Sequence, residues 1–495
     1  MSQRSLALFA MLCLSVLVAE ACGGGSRMSS TTSSTPQAAG ASVAVFGGDA
    51  PACNVVSFEV TVTGITLTPQ SGGPPVSILS SNESVTVDFA SLMGFVTMLN
   101  LSNVPPGTYS QMTIILANPQ MGVLNASQSG MGVSPVNATL TSSTVTVDIS
   151  PPLQVAANST AGLQIDFNLL NSVQTNPAGA ITGVVSPVFH ASPVGAGVGS
   201  MMAEIDDLHG IVQSVTTVSN SSSFTGSFVL DQGMMGRTFT INVTGNTAFQ
   251  GANGLSALAA GTFVEVNTDV DSNGNLVAKT VDVEEITNLQ QMMGAFVGTV
   301  MSATRDASGN TTQFTMAVRG EYPGMQSMMP MQSTPVVNVT SSTQFGISAS
   351  GANLANLTFG PMSMGAGQNV AVNGQMQMGG GMMGGASGLN AQSVVLMMQS
   401  TPGNFSSLIT AGSDGKTGGF SMMPCSAMFG GQQLTTLTFG QTEFTGFTGL
   451  SGMSSQPMLL NKGLLFYMPN AQTINGVQIP ASGMAFVATE VEKLQ

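Results

Sequence analysis

The stretch from His209 to Glu285 constrains the fold more than any other, because it consists of runs of alternating apolar and polar residues separated by turn signals. GIVQSVTTV, SFTGSFVL, RTFTINV, TFVEVNTDV and LVAKTVDVE follow one another, the last two joined by SNGN. Alternation of this length puts one face of each strand in a core, and Asn-Gly is a strong hairpin signal. The stretch reads as five short strands.

The same succession of landmarks returns twice downstream. Thr247-Ala-Phe249, Thr343-Gln-Phe345 and Thr442-Glu-Phe444 each follow a strand pattern. Gly261, Gly367 and Gly463 each open the next strand. Leu276-Val-Ala278-Lys-Thr-Val281, Leu389-Asn-Ala391-Gln-Ser-Val394 and Phe486-Val-Ala488-Thr-Glu-Val491 then supply a closing strand of the form apolar-x-Ala-x-x-Val. Landmarks recurring in one order mark an array of repeated units. Five strands in about 75 residues is the size of a Greek-key barrel of the OB or SH3 kind. The blocks fall at 208–287, 294–399 and 402–495, the second carrying a Met- and Gly-rich insertion.

Upstream, within 42–190, SFEVTVTGITLT, SVTVDF, YSQMTIIL, STVTVDI and LQIDFNLL have the spacing of an antiparallel sandwich, with DFASLMG as the one helical turn. Residues 191–207 are rich in small residues and read as a linker. Charged residues make up only 6% of the chain, against roughly 25% in ordinary soluble domains. Solubility then rests on Ser, Thr, Asn and Gln, which suit strands and turns better than helix faces. The expected class is all-β: an N-terminal antiparallel β-sandwich followed by three small five-stranded Greek-key barrels.

The amino terminus reads as an address. Arg4 precedes an apolar run from Leu6 to Ala19, too short to span a bilayer but suited to the core of an export signal over residues 1–21. Ala19-Glu20-Ala21-Cys22 resembles a bacterial lipoprotein processing site, which implies that Cys22 becomes a diacylated first residue, and two acyl chains suffice for anchoring. That family has Leu three residues before the cysteine and a small residue two before it, where this chain has Ala19 and Glu20. Ala19-Glu20-Ala21 also suits ordinary secretory cleavage at the same bond. Either way the chain leaves the cytoplasm, for the periplasm, the outer membrane or the cell surface, with 22–41 as a flexible tether.

Two further resemblances concern the folded part. GGDAPACNVVSFEVTVTGITL and VPPGTYSQMTIIL resemble an uncharacterised sandwich domain of bacterial surface lipoproteins. Its Asp-Ala-Pro turn would be Asp49-Ala50-Pro51 and its Pro-Gly-Thr-Tyr hairpin Pro106-Gly107-Thr108-Tyr109. The resemblance implies a prealbumin-like fold and no chemistry. Read from the residues alone, Tyr109 is a packed aromatic with a hydrogen-bonded hydroxyl. The three blocks resemble a second uncharacterised domain of exported bacterial proteins, a small five-stranded barrel, the third block diverging furthest.

Candidate chemistry is sparse. A net charge of −14, from 9 basic and 23 acidic residues, repels phosphate backbones, so nucleic acid is excluded as an expected partner. Asp269, Asp271, Asn273 and Asn275 alternate around Gly274 like the opening of a calcium loop. The twelfth position is Thr280 rather than Glu, however, and a polar hairpin turn is the stronger reading. Of 35 methionines, the densest group lies in GQMQMGGGMMGG at 374–385, where Met376, Met378, Met382 and Met383 are candidate Cu(I) ligands. Adaptable loop filler is the plainer account of them.

His190 and His209 have no acidic or cysteine partner at a metal-binding spacing. No nucleophile motif and no phosphate loop is present, so neither catalysis nor a cofactor is expected. Cys53 and Cys425 remain once Cys13 leaves with the signal and Cys22 serves as anchor. An oxidising compartment would let them pair, drawing the first unit against the last; buried free thiols are the alternative. The expected function is a non-enzymatic, lipid-anchored binding or structural scaffold of the cell envelope, with envelope proteins or carbohydrate as partners. Soft-metal binding by the Met-rich loops is the alternative.

Overall fold

The computed structural model describes residues 41–494 except 51, 80–83, 93–96, 128–129, 158, 195–200, 219–222, 232–237, 272–274, 284–294, 322–333, 348–353, 355–356, 379–385 and 454–457. Strand accounts for 66% of the structure and helix for 6%, so the class is all-β as the alternation predicts. Among the described residues no helix is long and apolar enough to cross a membrane.

Two long strands, Val55–Pro69 and Gly107–Ser127, form the spine of the sandwich, pairing antiparallel from Val55 opposite Val123 to Pro69 opposite Tyr109. Phe58, Val60 and Val62 are buried while Thr61 and Thr63 face outward. The register then shifts at Gly64, so that Ile65 and Leu67 carry the inward face onward. The full sheet order is Val76–Leu79, Val55–Pro69, Gly107–Ser127, Thr144–Val155, Phe189–Val194, Thr160–Asn168, Ala41–Ala50 and Thr97–Val104. Its two ends curl together, where the Asn100 side chain donates to the Ile78 carbonyl. Phe167 centres the core, stacked 5.4 Å from Phe58 and tilted 4.5 Å from Phe189. Phe89 joins it from the 3-10 turn Phe89–Leu92, the one helical turn expected of DFASLMG.

Each of the three downstream blocks closes into a barrel. In the first, the five strands Met201–Thr217, Gly226–Asp231, Thr238–Val243, Phe263–Asp271 and Leu276–Val283 run in the order 1-2-3-5-4-1, with the third and fifth parallel. The second repeats this with Ala295–Arg305, Thr311–Glu321, Val336–Asn338, Asn369–Met378 and Ala386–Leu396. In the third the strands are Gln399–Ala411, Gly418–Pro424, Leu434–Thr438, Leu459–Met468 and Gly483–Lys493. This closure is that of the OB kind, so the SH3 alternative falls. The first barrel begins earlier than its hydrophobic pattern indicates. Phe189–Val194 belongs to the sandwich and the first barrel strand starts at Met201, so most of the expected linker at 191–207 is strand.

The recurrent residues turn out to be one device. In every barrel the Thr of Thr-x-Phe donates its hydroxyl proton to the Ala carbonyl of the closing strand: Thr247 to Ala278 at 2.7 Å, Thr343 to Ala391 at 2.8 Å and Thr442 to Ala488 at 2.9 Å. The same oxygen accepts a backbone N–H from three residues back, from Thr244, Thr340 and Phe439. Phe249, Phe345 and Phe444 then lie in parallel register with Val281, Val394 and Val491. One hydroxyl thus pins the turn to the strand that closes the barrel, while the Phe lies against the buried Val end of its pattern.

The glycine landmark holds only in part. Gly261 and Gly367 take φ near +90° and donate to the Val212 and Val300 carbonyls of the first strands. Gly463 instead sits inside its strand, where an added Cβ would lie 1.9 Å from the Val487 carbonyl oxygen; its equivalent in the second barrel is Gly374, 2.1 Å from that of Asn390. The register shows why. Asn461, opposite Val491, matches Val372 opposite Val394, which moves the third barrel's opening position to residue 456, outside the described residues.

Thr442 is fully buried, so replacing it by Val should orphan a buried N–H and a carbonyl and cost about 1–3 kcal/mol. Thr442→Ser, which keeps the hydroxyl, should recover most of that in chemical denaturation.

Candidate functional site: the seams between sandwich and barrels

Strands with apolar residues on both faces join the modules. Along Ala41–Ala50, Val43 and Val45 enter the sandwich core, while Ala44 and Phe46 enter the core of the first barrel. In the third barrel Leu465 and Phe486 fill the interior. Leu464, Phe466, Ala485 and Val487 point outward into a core shared with the second barrel's Phe296, Val337 and Val394. A hairpin, Gln472–Ile474 with Val477–Ile479, adds Ile474, Val477 and Ile479 to that shared core. Its turn is Asn475-Gly476, both at positive φ, and the Asn-Gly pair in TINGVQI is the local signal for it.

Buried polar groups finish the contact between these two barrels. Gln368 donates to the Leu465 carbonyl at 2.8 Å, and Gln399 donates to the Gly367 carbonyl at 2.9 Å. Arg305 reaches the Met362 and Met364 carbonyls and lies 4.1 Å from the Tyr467 ring centre.

The sandwich meets this pair of barrels around a narrow cleft of about 70 Å³, lined by Cys53, Val56, Leu124, Arg319, Asn369 and Phe429 among others. Space of that size holds a few waters rather than an organic ligand. The half-buried Arg319 of the second barrel donates Nε to the Val56 carbonyl at 2.9 Å and Nη2 to Ala90 at 3.4 Å. Val56 and Leu124 pack there on Met301 and Ala317, with Met428 against them. On the same strand approach Cys53 forms a disulfide with Cys425, their Cα atoms 5.3 Å apart, and the Ala427 N–H donates to Asn54 Oδ1 at 2.9 Å.

Acidic pairs lie along these seams and on outer barrel faces. Glu59 stands opposite Asp88 across two sandwich strands, and burial followed by the Asp88 charge pushes its carboxyl up to about 7. Asp88 in turn faces Arg319. In the first barrel Asp282 stands opposite Glu265, and burial followed by that neighbour pushes it up to about 6. Glu492 is raised by burial, which outweighs the lowering by Lys462; Glu490 and Asp166 of the sandwich add to the rise. Among the described residues no group of three His, Cys, Asp or Glu is placed to hold a metal ion.

The residues singled out in the sequence fall as follows. Asp271 accepts both the backbone N–H and the side-chain amide of Asn275 at 2.8 Å, closing a hairpin turn. The same turn recurs where Asp306 accepts the N–H groups of Ser308 and Asn310 at 2.9 Å, and these bonds, that of Asn310 first, hold its carboxyl below the usual range. Asp269 lies on the strand leading into the first of these turns, and Asn273 lies outside the described residues. Met376 and Met378 are on the fourth strand of the second barrel; Met382, Met383 and Cys22 lie outside the described residues. His190 is on a sandwich strand opposite Asp166, and His209 on the first barrel strand opposite Glu265. Tyr109 is buried with its hydroxyl donating to the Pro105 carbonyl at 2.7 Å. Asp49 accepts the Leu169 N–H at 3.3 Å, tying its turn to the short helix Leu169–Ser172.

Glu59 and Asp282 set a pH dependence whose sign follows from their upward displacement. A carboxyl held above its unfolded value contributes stability that is complete below that value, near 4.5 for Glu59, and lost as pH rises through about 7. Thermal unfolding should therefore fall in temperature between pH 5 and pH 8. Glu59→Gln should flatten that fall, and an unchanged slope would contradict the assignment.

Comparison with known proteins matches two parts of the chain. Residues 41–182 match a family described as Domain of unknown function (DUF4382), and residues 209–282 one described as Domain of unknown function (DUF5666). No curated protein matches the chain. Among solved structures it is similar to "drosophila Unr CSD456" at 8% identity, covering 58% of this chain and 96% of that one with a TM-score of 0.13, a likeness too slight to argue from. The chain carries two domains of unknown function, the sandwich and the first barrel, and continues into two further small closed barrels.

Proposed function

We propose that this chain is a non-enzymatic, exported and lipid-anchored scaffold of the cell envelope, in which the first barrel presents the face open to a partner. The observation that carries the reading is a difference between equivalent surfaces. In OB-type barrels the second and third strands supply the recognition face. In the third barrel those strands are buried almost throughout. In the second, Ala317 and Arg319 are committed to the sandwich. In the first, Thr238 and Thr240 are exposed, and Ser214, Val229 and Thr240 share one row while Thr216, Ser227 and Asn242 share the next.

Among the described residues that face presents hydroxyls and an amide beside Val229 and no cation, so it suits neutral hydroxylated chains such as envelope carbohydrate better than polyanions. The anchor at Cys22 and the export signal are parts of the same reading, resting on residues 1–22.

Expressed in a bacterial host, the full chain should partition with membranes and the Cys22→Ser variant should not; equal partitioning of the two would remove the anchor. Thr238→Arg with Thr240→Arg, both at exposed positions, should abolish retention on immobilised envelope polysaccharide without lowering thermal stability. Saturable Cu(I) binding lost on deleting residues 374–385 would instead favour the soft-metal reading.

A further inference from the structure

The cleft between the sandwich and the two joined barrels is lined unevenly with hydrogen-bonding groups, and its acceptors are already engaged. Asn369 Oδ1 takes the Thr299 hydroxyl at 2.7 Å, Gln399 Oε1 takes the Asn369 N–H at 2.8 Å, and the Gly367 carbonyl takes the Gln399 amide at 2.9 Å. The Val56 carbonyl takes Arg319 Nε, the Pro402 carbonyl takes the Cys425 N–H at 3.1 Å, and the Ser426 hydroxyl oxygen takes the Met428 N–H at 3.3 Å.

The donors are in the opposite state. The Arg319 guanidinium uses Nε and Nη2, which leaves Nη1 without an acceptor in the protein. Asn369 Nδ2 and the hydroxyl protons of Thr401 and Ser426 have none either. Ser400 lines the same space, and its buried Oγ has no hydrogen-bond partner at all.

Among the described residues that line the cleft there is one charge, that of Arg319, and no carboxylate. This is unusual in a chain whose acidic residues outnumber its basic ones by 23 to 9. Burial disfavours the Arg319 charge, and Asp88, which acts against that effect, is not one of the lining residues. A cavity whose free groups are donors around a guanidinium suits an acceptor of negative charge, because hydrogen bonds to an ion are the stronger ones. Water must donate as well as accept, and here it meets acceptors that are already bonded. A space of about 70 Å³ takes an ion of a few waters' size and not an organic anion.

We propose that the cleft binds one small halide-type monoanion, held by Arg319 and Asn369 of the second barrel and by Ser400 and Thr401 of the third, against Cys53 and Val56 of the sandwich. The ion ties three modules together where they meet. The site is independent of the cellular address and the partner proposed above.

The experiment follows the chlorine NMR line width of sodium chloride over the purified full chain, with ionic strength held constant by sodium gluconate, whose anion is too large for the cleft. The excess broadening should saturate with chloride and be displaced by bromide. Ser400→Ala should weaken chloride affinity by about tenfold or more, as for loss of a hydrogen bond to a charged group. Its melting temperature in gluconate should stay that of the wild type, since the hydroxyl removed has no partner. Arg319→Gln should abolish the saturable component.

Broadening that never saturates would overturn the site. So would a saturable component of equal affinity in the wild type and Ser400→Ala, which would place the ion elsewhere on the surface. Crystals soaked in bromide whose anomalous peaks all lie outside the cleft would overturn it as well. Because Ser400→Ala removes no hydrogen bond, failure of Arg319→Gln to fold does not remove the test.

Discussion

The outer faces of the strands govern how this molecule is assembled. A small barrel buries only its interior, and in most soluble proteins the outside is kept in water by charge. Here charged residues are so few that Leu464, Phe466 and Val487, or Ala44 and Phe46, can sit on outer faces and be buried by the next module. Residues Ala39–Gln495 accordingly form one compact unit rather than a string of beads.

The scarce cations are placed with the same economy. Arg305 joins the second barrel to the third, and Arg319 joins the second barrel to the sandwich. Each stands at a seam where backbone carbonyls or carboxylates would otherwise be buried without a partner, and a guanidinium with several donors satisfies two carbonyls at once. Substituting such a residue disturbs the relation between modules before it disturbs either module.

Within each barrel, fold and sequence are linked by a single hydroxyl. The Thr-x-Phe turn and the apolar-x-Ala-x-x-Val strand recur together because the Thr oxygen bonds the Ala carbonyl and the Phe registers against the Val. That coupling needs no neighbouring module, which is why it survives in the third barrel although the glycine landmark there has moved and the hairpin at Asn475-Gly476 has been added.

By itself the sequence determined the strands, the three repeated barrels, the turn at Asp271 and the packed Tyr109, since each depends on period-two alternation or on groups a few residues apart. It also limited the cysteines to two that could pair within the folded part, without deciding that they would. The tertiary structure alone decided the OB rather than the SH3 closure, the sharing of one core by two barrels, and the meeting of Cys53 with Cys425 and of Arg319 with Val56. The reason is physical. Alternation states that a side chain points away from its own barrel, but whether it then meets water or another sheet depends on surfaces hundreds of residues away, which no local pattern encodes.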